Sequence, residues 1–361
     1  MLRCPRHTYT NTFENFGSLS IIPRMIIVTG AAGFIGSNVV AALNSEGVTD
    51  ICAVDNPGTK EQTRNLDDLA IKLFLVRDDL FGWIEKYSSE VEAVIHLGAC
   101  SDTLETDRNY MMNVNFAYPC RLWELCAKLG KRLIYASSAA TYGDGSKGYS
   151  DLEDPACLAP LNLYGESKQR FDLWALAQPA APPGWVGLKF FNVYGPREQH
   201  KKRMASVVFH LFEQIEKTGK ARLFKSEHPD YSDGGQMRDF IYIKDAAAAI
   251  RHFLRAPVTG PFGLVNVGTG VARSYRDLAL AVFNGMDRAP HIEYIPMPDD
   301  LRGRYQYFTQ AGTNKLRAVG FKHTFHTLEE GVEDYVRKHL LPKSRELPDS
   351  SHAEAFRSRR I

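Results

Sequence analysis

The chain contains no apolar run approaching the roughly 20 residues that cross a bilayer, which argues against a helical membrane anchor. It has no surplus of one charge. Forty-four Lys and Arg face 42 Asp and Glu, a net charge of +2, whereas a general nucleic-acid binder needs a far larger basic excess. Its six cysteines (Cys4, Cys52, Cys100, Cys120, Cys126 and Cys157) are scattered, with no C-x-x-C pair. Neither a disulfide framework nor a metal site is expected, and reduced thiols in the cytoplasm are the simplest reading. The body shows no internal repeat and no low-complexity tract.

What is present is an ordinary soluble composition, 44% hydrophobic and 24% charged, over 361 residues, a length that reads better as two lobes than as one core. The first 24 residues lack the continuous apolar stretch of a secretory signal. A targeting segment, an appended remnant or an upstream start are the readings left. The last is preferred, because a strand pattern opens at Met25. The segment after Leu341 is polar and expected to fray.

The stretch "MIIVTGAAGFIGSNVVAALNSEG" reads as strand, tight turn and helix. Gly30, Gly33 and Gly36 let the backbone approach a pyrophosphate, and the helix they open offers free N–H donors and the positive end of its dipole. About twenty residues later a second strand ends in an acid, "ICAVDN", the context that distinguishes a dinucleotide cradle from a chance glycine triplet. A third strand runs into the small-residue turn of "EAVIHLGACSDT". Ser101 then stands at the strand's carboxyl end, where open α/β sheets bind ligands. His96, inside that strand, reads as a packed core residue. Asn115 reads either as an organiser of the site or as surface polarity.

Further on, "KRLIYASSAATYG" is a strand ending in Ser137 and Ser138, and "LNLYGESK" places Tyr164 and Lys168 four apart, on one helix face. A free phenol, with a pKa of about 10, is a poor base near neutrality. An adjacent ammonium favours the phenolate and makes proton transfer practical. Ser138 would hydrogen-bond the oxygen that gains or loses the proton. With a glycine cradle upstream, this is an alcohol-oxidising or carbonyl-reducing site.

The G-x-x-G-x-x-G spacing, the serine-ended strand and Y-x-x-x-K resemble the extended short-chain dehydrogenase/reductase family. The segments "NVYGPRE", "HK", "MASV", "ACSDT", "YMMN", "PLNLYGESK", "RDFIYIKD", "NVGTG" and "GRYQYFTQA" resemble its NAD-dependent epimerase/dehydratase group. Within that group the likeness is to the epimerases of an ADP-linked heptose, from about Met25 to the region of Tyr335. The resemblance implies a Rossmann-like α/β fold, a doubly wound parallel sheet with a smaller α/β substrate-binding domain. The cofactor domain would span 25–190 plus about 239–270, the substrate domain about 191–238 and 271–341, and a polar tail 342–361. It also implies a cytoplasmic homo-oligomer, with five subunits as the candidate number, that supplies lipopolysaccharide core precursors.

By that resemblance the cofactor contacts are Gly30, Gly33, Phe34, Ile35, Gly36, Asp55, Asn56, Lys60, Arg77, Leu97, Gly98, Ala99, Cys100, Ser101, Lys168, Val193 and Lys201. Asp55 would bond the adenosine ribose, which suits NAD. Lys60 and Arg77 could meet a 2′-phosphate, so NADP is the expected cofactor. Relatives that dehydrate carry carboxylates in the "SSAATYG" segment, where this chain has Ala139 and Ala140; dehydration is disfavoured.

The basic run in "PREQHKKRMASVV" would ordinarily be a solvated face. The resemblance instead makes Lys201 a second acid/base, complementing Tyr164 with Ser138 and Lys168. Epimerisation by oxidation to a ketone and hydride return to the opposite face can need two bases, because each epimer presents its hydroxyl differently. A lysine's pKa falls when it is desolvated or near other cations, and His200, Lys202 and Arg203 are adjacent in sequence. Substrate contacts would be Ser101, Ser138, Asn192, Arg203, His210, Phe224, Lys225, Ser226, Glu227, Arg238 and Tyr305. Arg238 suits a diphosphate, unless it pairs with Asp239 or Asp245. Two departures from the relatives stand out: Leu97 replaces a glutamate that often precedes the "GAC" turn, and Lys202 and Arg203 replace small residues. A UDP- or GDP-sugar epimerase or reductase on this scaffold, and a non-catalytic dinucleotide sensor, are the competing readings; the Tyr/Lys pair argues against the sensor.

Overall fold

The computed structural model describes residues 25–56, 58–258, 260–298 and 305–346. Seven parallel strands form the main sheet: β1 (Met25–Thr29), β2 (Ile51–Asp55), β3 (Leu73–Val76), β4 (Val91–His96), β5 (Arg132–Ser138), β6 (Val186–Phe190) and, after three further strands, β10 (Gly263–Val267). Their order is β10-β6-β5-β4-β1-β2-β3. The chain therefore reverses its winding between β1 and β4, and ligands bind beyond the strand carboxyl ends at such a point. β1 and β6 are buried along their whole length, as parallel strands covered on both faces must be.

Two clusters cover the two faces. On one, helix Phe34–Asn44 packs against helix Ile243–Arg255, whose buried run Ala246 to Ala249 keeps the pair close. Arg132, from β5, caps the second helix by donating to the carbonyls of Phe253, Leu254 and Ala256 at 2.5–2.7 Å, satisfying orphan acceptors at the negative end of the dipole. The other face is aromatic. Phe171 and Trp185 pack edge-to-face on Trp123, with ring centroids 6.3 and 4.8 Å from it respectively, a favoured geometry.

Two small sheets lie outside this frame. β7 (Asn192–Tyr194) pairs parallel with β9 (Met237–Tyr242), which pairs antiparallel with β11 (Ala272–Ser274); β8 (Ala221–Phe224) pairs parallel with β12 (Ile292–Ile295). Within the span of about 239–270 expected for the cofactor domain, β9 pairs in a small sheet, whereas helix Ile243–Arg255 packs on helix Phe34–Asn44 and β10 joins the main sheet. Residues Leu341–Glu346 are helical, so the fraying expected from 342 does not hold for 342–346. The rest of that tail, and the extension 1–24, lie outside the described residues.

Candidate active site

The turn after β1 is built by close backbone approach. Gly30 has φ +66°, and a Cβ there would sit 2.6 Å from the Gly98 nitrogen, so no side chain fits and the loop after β4 can close on it. Gly33 caps helix Phe34–Asn44 without any side-chain bond to the first turn. Those N–H groups are thus directed at the cleft without a side-chain acceptor, the donor set a pyrophosphate needs. Asp55 ends β2 and accepts from the Ala32 N–H at 2.9 Å and the Asn56 N–H at 2.8 Å. Burial raises its pKa, and those two bonds oppose the rise.

Opposite stands the loop 97–102, held by Asn115. Its carbonyl accepts from the Cys100 N–H at 2.8 Å, while its amide donates to the Cys100 carbonyl at 2.8 Å and the Ser167 hydroxyl at 3.0 Å. Asn115 is 2% exposed, so it organises the site and is not surface polarity. It projects from a π-helical turn, Asn113–Ala117, and such bulges recur at functional sites. His96 is a packed residue as expected: Thr29 Oγ1 lies 2.7 Å from its Nδ1, and burial depresses its pKa to about 3.

Tyr164 and Lys168 lie on helix Leu163–Leu176, started by Asn162, whose side chain accepts from the Gly165 N–H at 2.8 Å. The Tyr164 phenol shares the cleft with Ser138 at the end of β5. Burial raises the phenol's pKa and the Ser138 hydroxyl opposes that; in this structure burial, not the lysine expected to lower it, dominates. Lys168 is 6% exposed and donates to the Ala136 carbonyl at 2.9 Å. Desolvation lowers its pKa to about 8, with the Asp172 charge acting the other way. One helical turn beyond, Asp172 is wholly buried and accepts from Tyr135 at 3.0 Å, Ser137 at 2.7 Å and Lys189 at 2.9 Å. Sequence reasoning passed over this acid. Its signal was an Asp four residues after Lys168, on the same buried helix face.

The run after β7 resolves into structure. Gln199–Met204 is a short 3-10 segment kinked at Lys202, which has φ +49°; Arg197 has φ +71°. Left-handed backbone at two non-glycine residues is costly and needs anchoring. Arg197 supplies one anchor, a two-pronged pair with Asp68 at 2.6 and 2.9 Å. Glu198 supplies the other. It is 1% exposed and accepts from the Ser206 N–H at 2.6 Å, the Ser206 hydroxyl at 2.7 Å and the Gly195 N–H at 3.3 Å. Between these anchors Lys201 turns inward, its ammonium 5.6 Å from the Phe34 ring centroid. Its pKa is lowered by burial, while Glu198 raises it. The neighbouring cations are therefore not the cause. Arg203 pairs with Asp102 at 2.6 Å, and His200 Nδ1 lies 3.1 Å from the Asn65 amide.

Gly30, Gly33, Phe34, Ile35, Gly36, Asp55, Leu97, Gly98, Ala99, Cys100, Ser101, Ser138, Tyr164, Lys168, Asn192, Val193 and Lys201 line one cleft of about 650 Å³. Gln62, Asp102 and His200, not foreseen, line it too. Asn56 and Arg77 line a smaller adjoining hollow, and Lys60 is exposed at the start of the short helix Lys60–Thr63. Arg203 and His210 are not among the residues lining the cleft: Arg203 pairs with Asp102, which is, and His210 Nε2 lies 3.3 Å from the Arg203 carbonyl. The other expected substrate residues gather around the small sheets. Arg238 is 6% exposed and sits 5.3 Å from the Tyr305 ring centroid, with Phe224 edge-on to Tyr305 at 6.4 Å. Neither suggested carboxylate competes for Arg238: Asp239 accepts from Thr269, Gly270 and Ala311, and Asp245 from two histidines. Lys225, Ser226 and Glu227 follow on the same loop, Ser226 N–H bonded to Asp233 at 2.9 Å.

A family model, the NAD dependent epimerase/dehydratase family, matches residues 26–268. The chain belongs to that family. A curated protein of Nitratidesulfovibrio vulgaris, named ADP-L-glycero-D-manno-heptose-6-epimerase, is 50% identical over 319 residues, covering 88% of this chain and 98% of its own. One of the same name from Fusobacterium nucleatum is 46% identical, with the same coverage. A solved Helicobacter pylori structure of that enzyme aligns with TM-score 0.73 and 27% identity over 90% of this chain and 98% of its own. Membership implies a nicotinamide cofactor, and the glycine turn, the uncapped helix start and Asp55 fit one.

Proposed function

We propose that this protein interconverts the C-6 epimers of an ADP-linked heptose, ADP-D-glycero-β-D-manno-heptose and its L-glycero form. The observation that carries this reading is a single cleft bearing two proton-transfer groups, Tyr164 with Ser138 and Lys168 from one part of the fold and Lys201 from another. The names of the relatives at 46–50% identity give the substrate. A bound nicotinamide dinucleotide would supply hydride acceptance and return. The protein's residues hold substrate and move protons. Tyr164 takes the proton from the hydroxyl of one epimer while Ser138 holds that oxygen. Lys201, kept poorly solvated by burial, returns a proton to the oxygen in its other orientation. A ketone that turns between the two hydride steps presents its other face to the hydride and swings its oxygen from one proton-transfer group toward the other, so each serves one orientation.

We assign NADP on Lys60, the cation nearest in sequence to Asp55, and on Arg77, which lines the same small hollow as Asp55, and place the cofactor on the seven-stranded sheet. The nucleotide sugar is assigned to the side formed by the small sheets, with Arg238 on its diphosphate. A cytoplasmic homo-oligomer of five subunits and a place in lipopolysaccharide core precursor synthesis complete the reading. The test is incubation of purified protein, without added cofactor, with ADP-D-glycero-β-D-manno-heptose, followed by chromatographic separation of the epimers. Conversion to a mixture of both is expected. No conversion even with NADP⁺ or NAD⁺ added, alongside turnover of a UDP- or GDP-sugar, would reject the substrate.

A further inference from the structure

Away from the cleft, Asp245 lies in the first turn of helix Ile243–Arg255 with its side chain fully buried. Its Oδ1 is approached by two imidazoles, His323 Nε2 at 2.7 Å and His326 Nδ1 at 2.8 Å. Its Oδ2 is held separately by the His326 backbone N–H at 2.9 Å. The three ligand atoms all lie within 4.8 Å of one another. We propose that Asp245, His323 and His326 form a binding site for a divalent transition metal of the zinc class, outside the epimerase reaction.

Three features support this. The donor set is two nitrogens and one carboxylate oxygen, which suits Zn²⁺, Co²⁺ or Ni²⁺ and not Mg²⁺ or Ca²⁺, whose sites are built of oxygen. The carboxylate is already oriented for one-oxygen ligation. Its other oxygen is bonded to the backbone, the outer-shell support that metal-binding carboxylates receive. Both histidine side chains are about one-third exposed, at 35%, so an ion can enter and keep a water at a fourth position. With bonds of about 2.0–2.1 Å at tetrahedral angles, ligand atoms stand about 3.3 Å apart. The present N···O separations would open by roughly half an ångström. The ring protons now facing Oδ1 would pass through solvent to the opposite ring nitrogens, so two neutral imidazoles bind without net proton release. The ion would tie the segment 321–327 to the helix that follows β9, next to Tyr242, whose ring is 5.3 Å from His326. No member of the trio lines the catalytic cleft.

The experiment is titration of tag-free protein with Co²⁺, then displacement by Zn²⁺, on the wild type and on His323→Gln and His326→Gln separately. The wild type is expected to bind one Co²⁺ with the visible absorption of a four-coordinate nitrogen/oxygen site, and Zn²⁺ should abolish that absorption and raise the melting temperature. Each variant should bind at least a hundredfold more weakly, beyond the roughly 10–100-fold that outer-shell partners cost, with epimerase kcat unchanged. Equal Co²⁺ spectra in all three proteins, no binding by folded wild type, or an intense sulfur-to-cobalt band marking a cysteine site would each overturn the proposal.

Discussion

Replacing Lys168 by Met should destroy turnover and make the protein more stable. The lysine is buried, and desolvation takes its pKa from 10.5 to about 8. At about 1.4 kcal/mol per pH unit, holding it charged costs about 3 kcal/mol. The bond to the Ala136 carbonyl returns about 1 kcal/mol. A thioether of similar length keeps the packing and removes the charge, so Lys168→Met should gain about 2 kcal/mol at pH 7. The sign follows from linkage: a folded pKa below the unfolded one means that the unfolded chain holds the extra proton between pH 8 and 10.5. The wild-type penalty is therefore complete below pH 8 and fades as pH rises toward 10.5, and the advantage of the variant should shrink over that window. Urea unfolding at pH 7, 9 and 10.5, beside an epimer-interconversion assay, measures both halves. A variant less stable than wild type at pH 7, or a gain independent of pH, would show that the buried ammonium is compensated, with Asp172 the first suspect, and would refute the reasoning.

Tyr164→Phe and Lys201→Met should each lower kcat by at least about 10²-fold, the usual worth of a positioned acid or base, with the dinucleotide still bound; near-normal turnover in Lys201→Met would remove that lysine from proton transfer. Lys60→Ala should weaken NADP more than NAD in binding titrations, and equal losses would take Lys60 away from the 2′-phosphate. Asn115→Ala strands both polar groups of Cys100 and should cost about 2 kcal/mol by urea unfolding; a change under about 0.5 kcal/mol would mean that solvent replaces the lost bonds.

The cofactor half of the site was legible because its demands are local. A glycine turn, an acid-ended strand and a Tyr/Lys pair on one helix face are each written within a few residues, and the structure gathers Gly30, Asp55, Ser138, Tyr164 and Lys168 in one cleft. The resemblance to the epimerase family was readable in the same way. Less legible was anything that depends on distant partners. Local sequence left desolvation and three adjacent cations both open as reasons for a perturbed Lys201; the fold decides for burial, with Glu198, anchored by Ser206 and Gly195, opposing it. "RDFIYIKD" reads as a strand, but its pairing with β7 and β11 is not written in it, because apolar alternation fixes a strand's faces and not its neighbours.

By itself, then, the sequence determined the strand-turn-helix cradle, the four-residue spacing of phenol and ammonium, and the family. Tertiary structure alone decided which buried groups face each other: Tyr135, Ser137 and Lys189 around Asp172, Asn115 clasping the loop after β4, and two histidines converging on Asp245 from about eighty residues downstream. Short-range spacing is set by helix and strand geometry. The electrostatics of a buried group is set by whatever the fold packs around it, and that is not written near it in the chain.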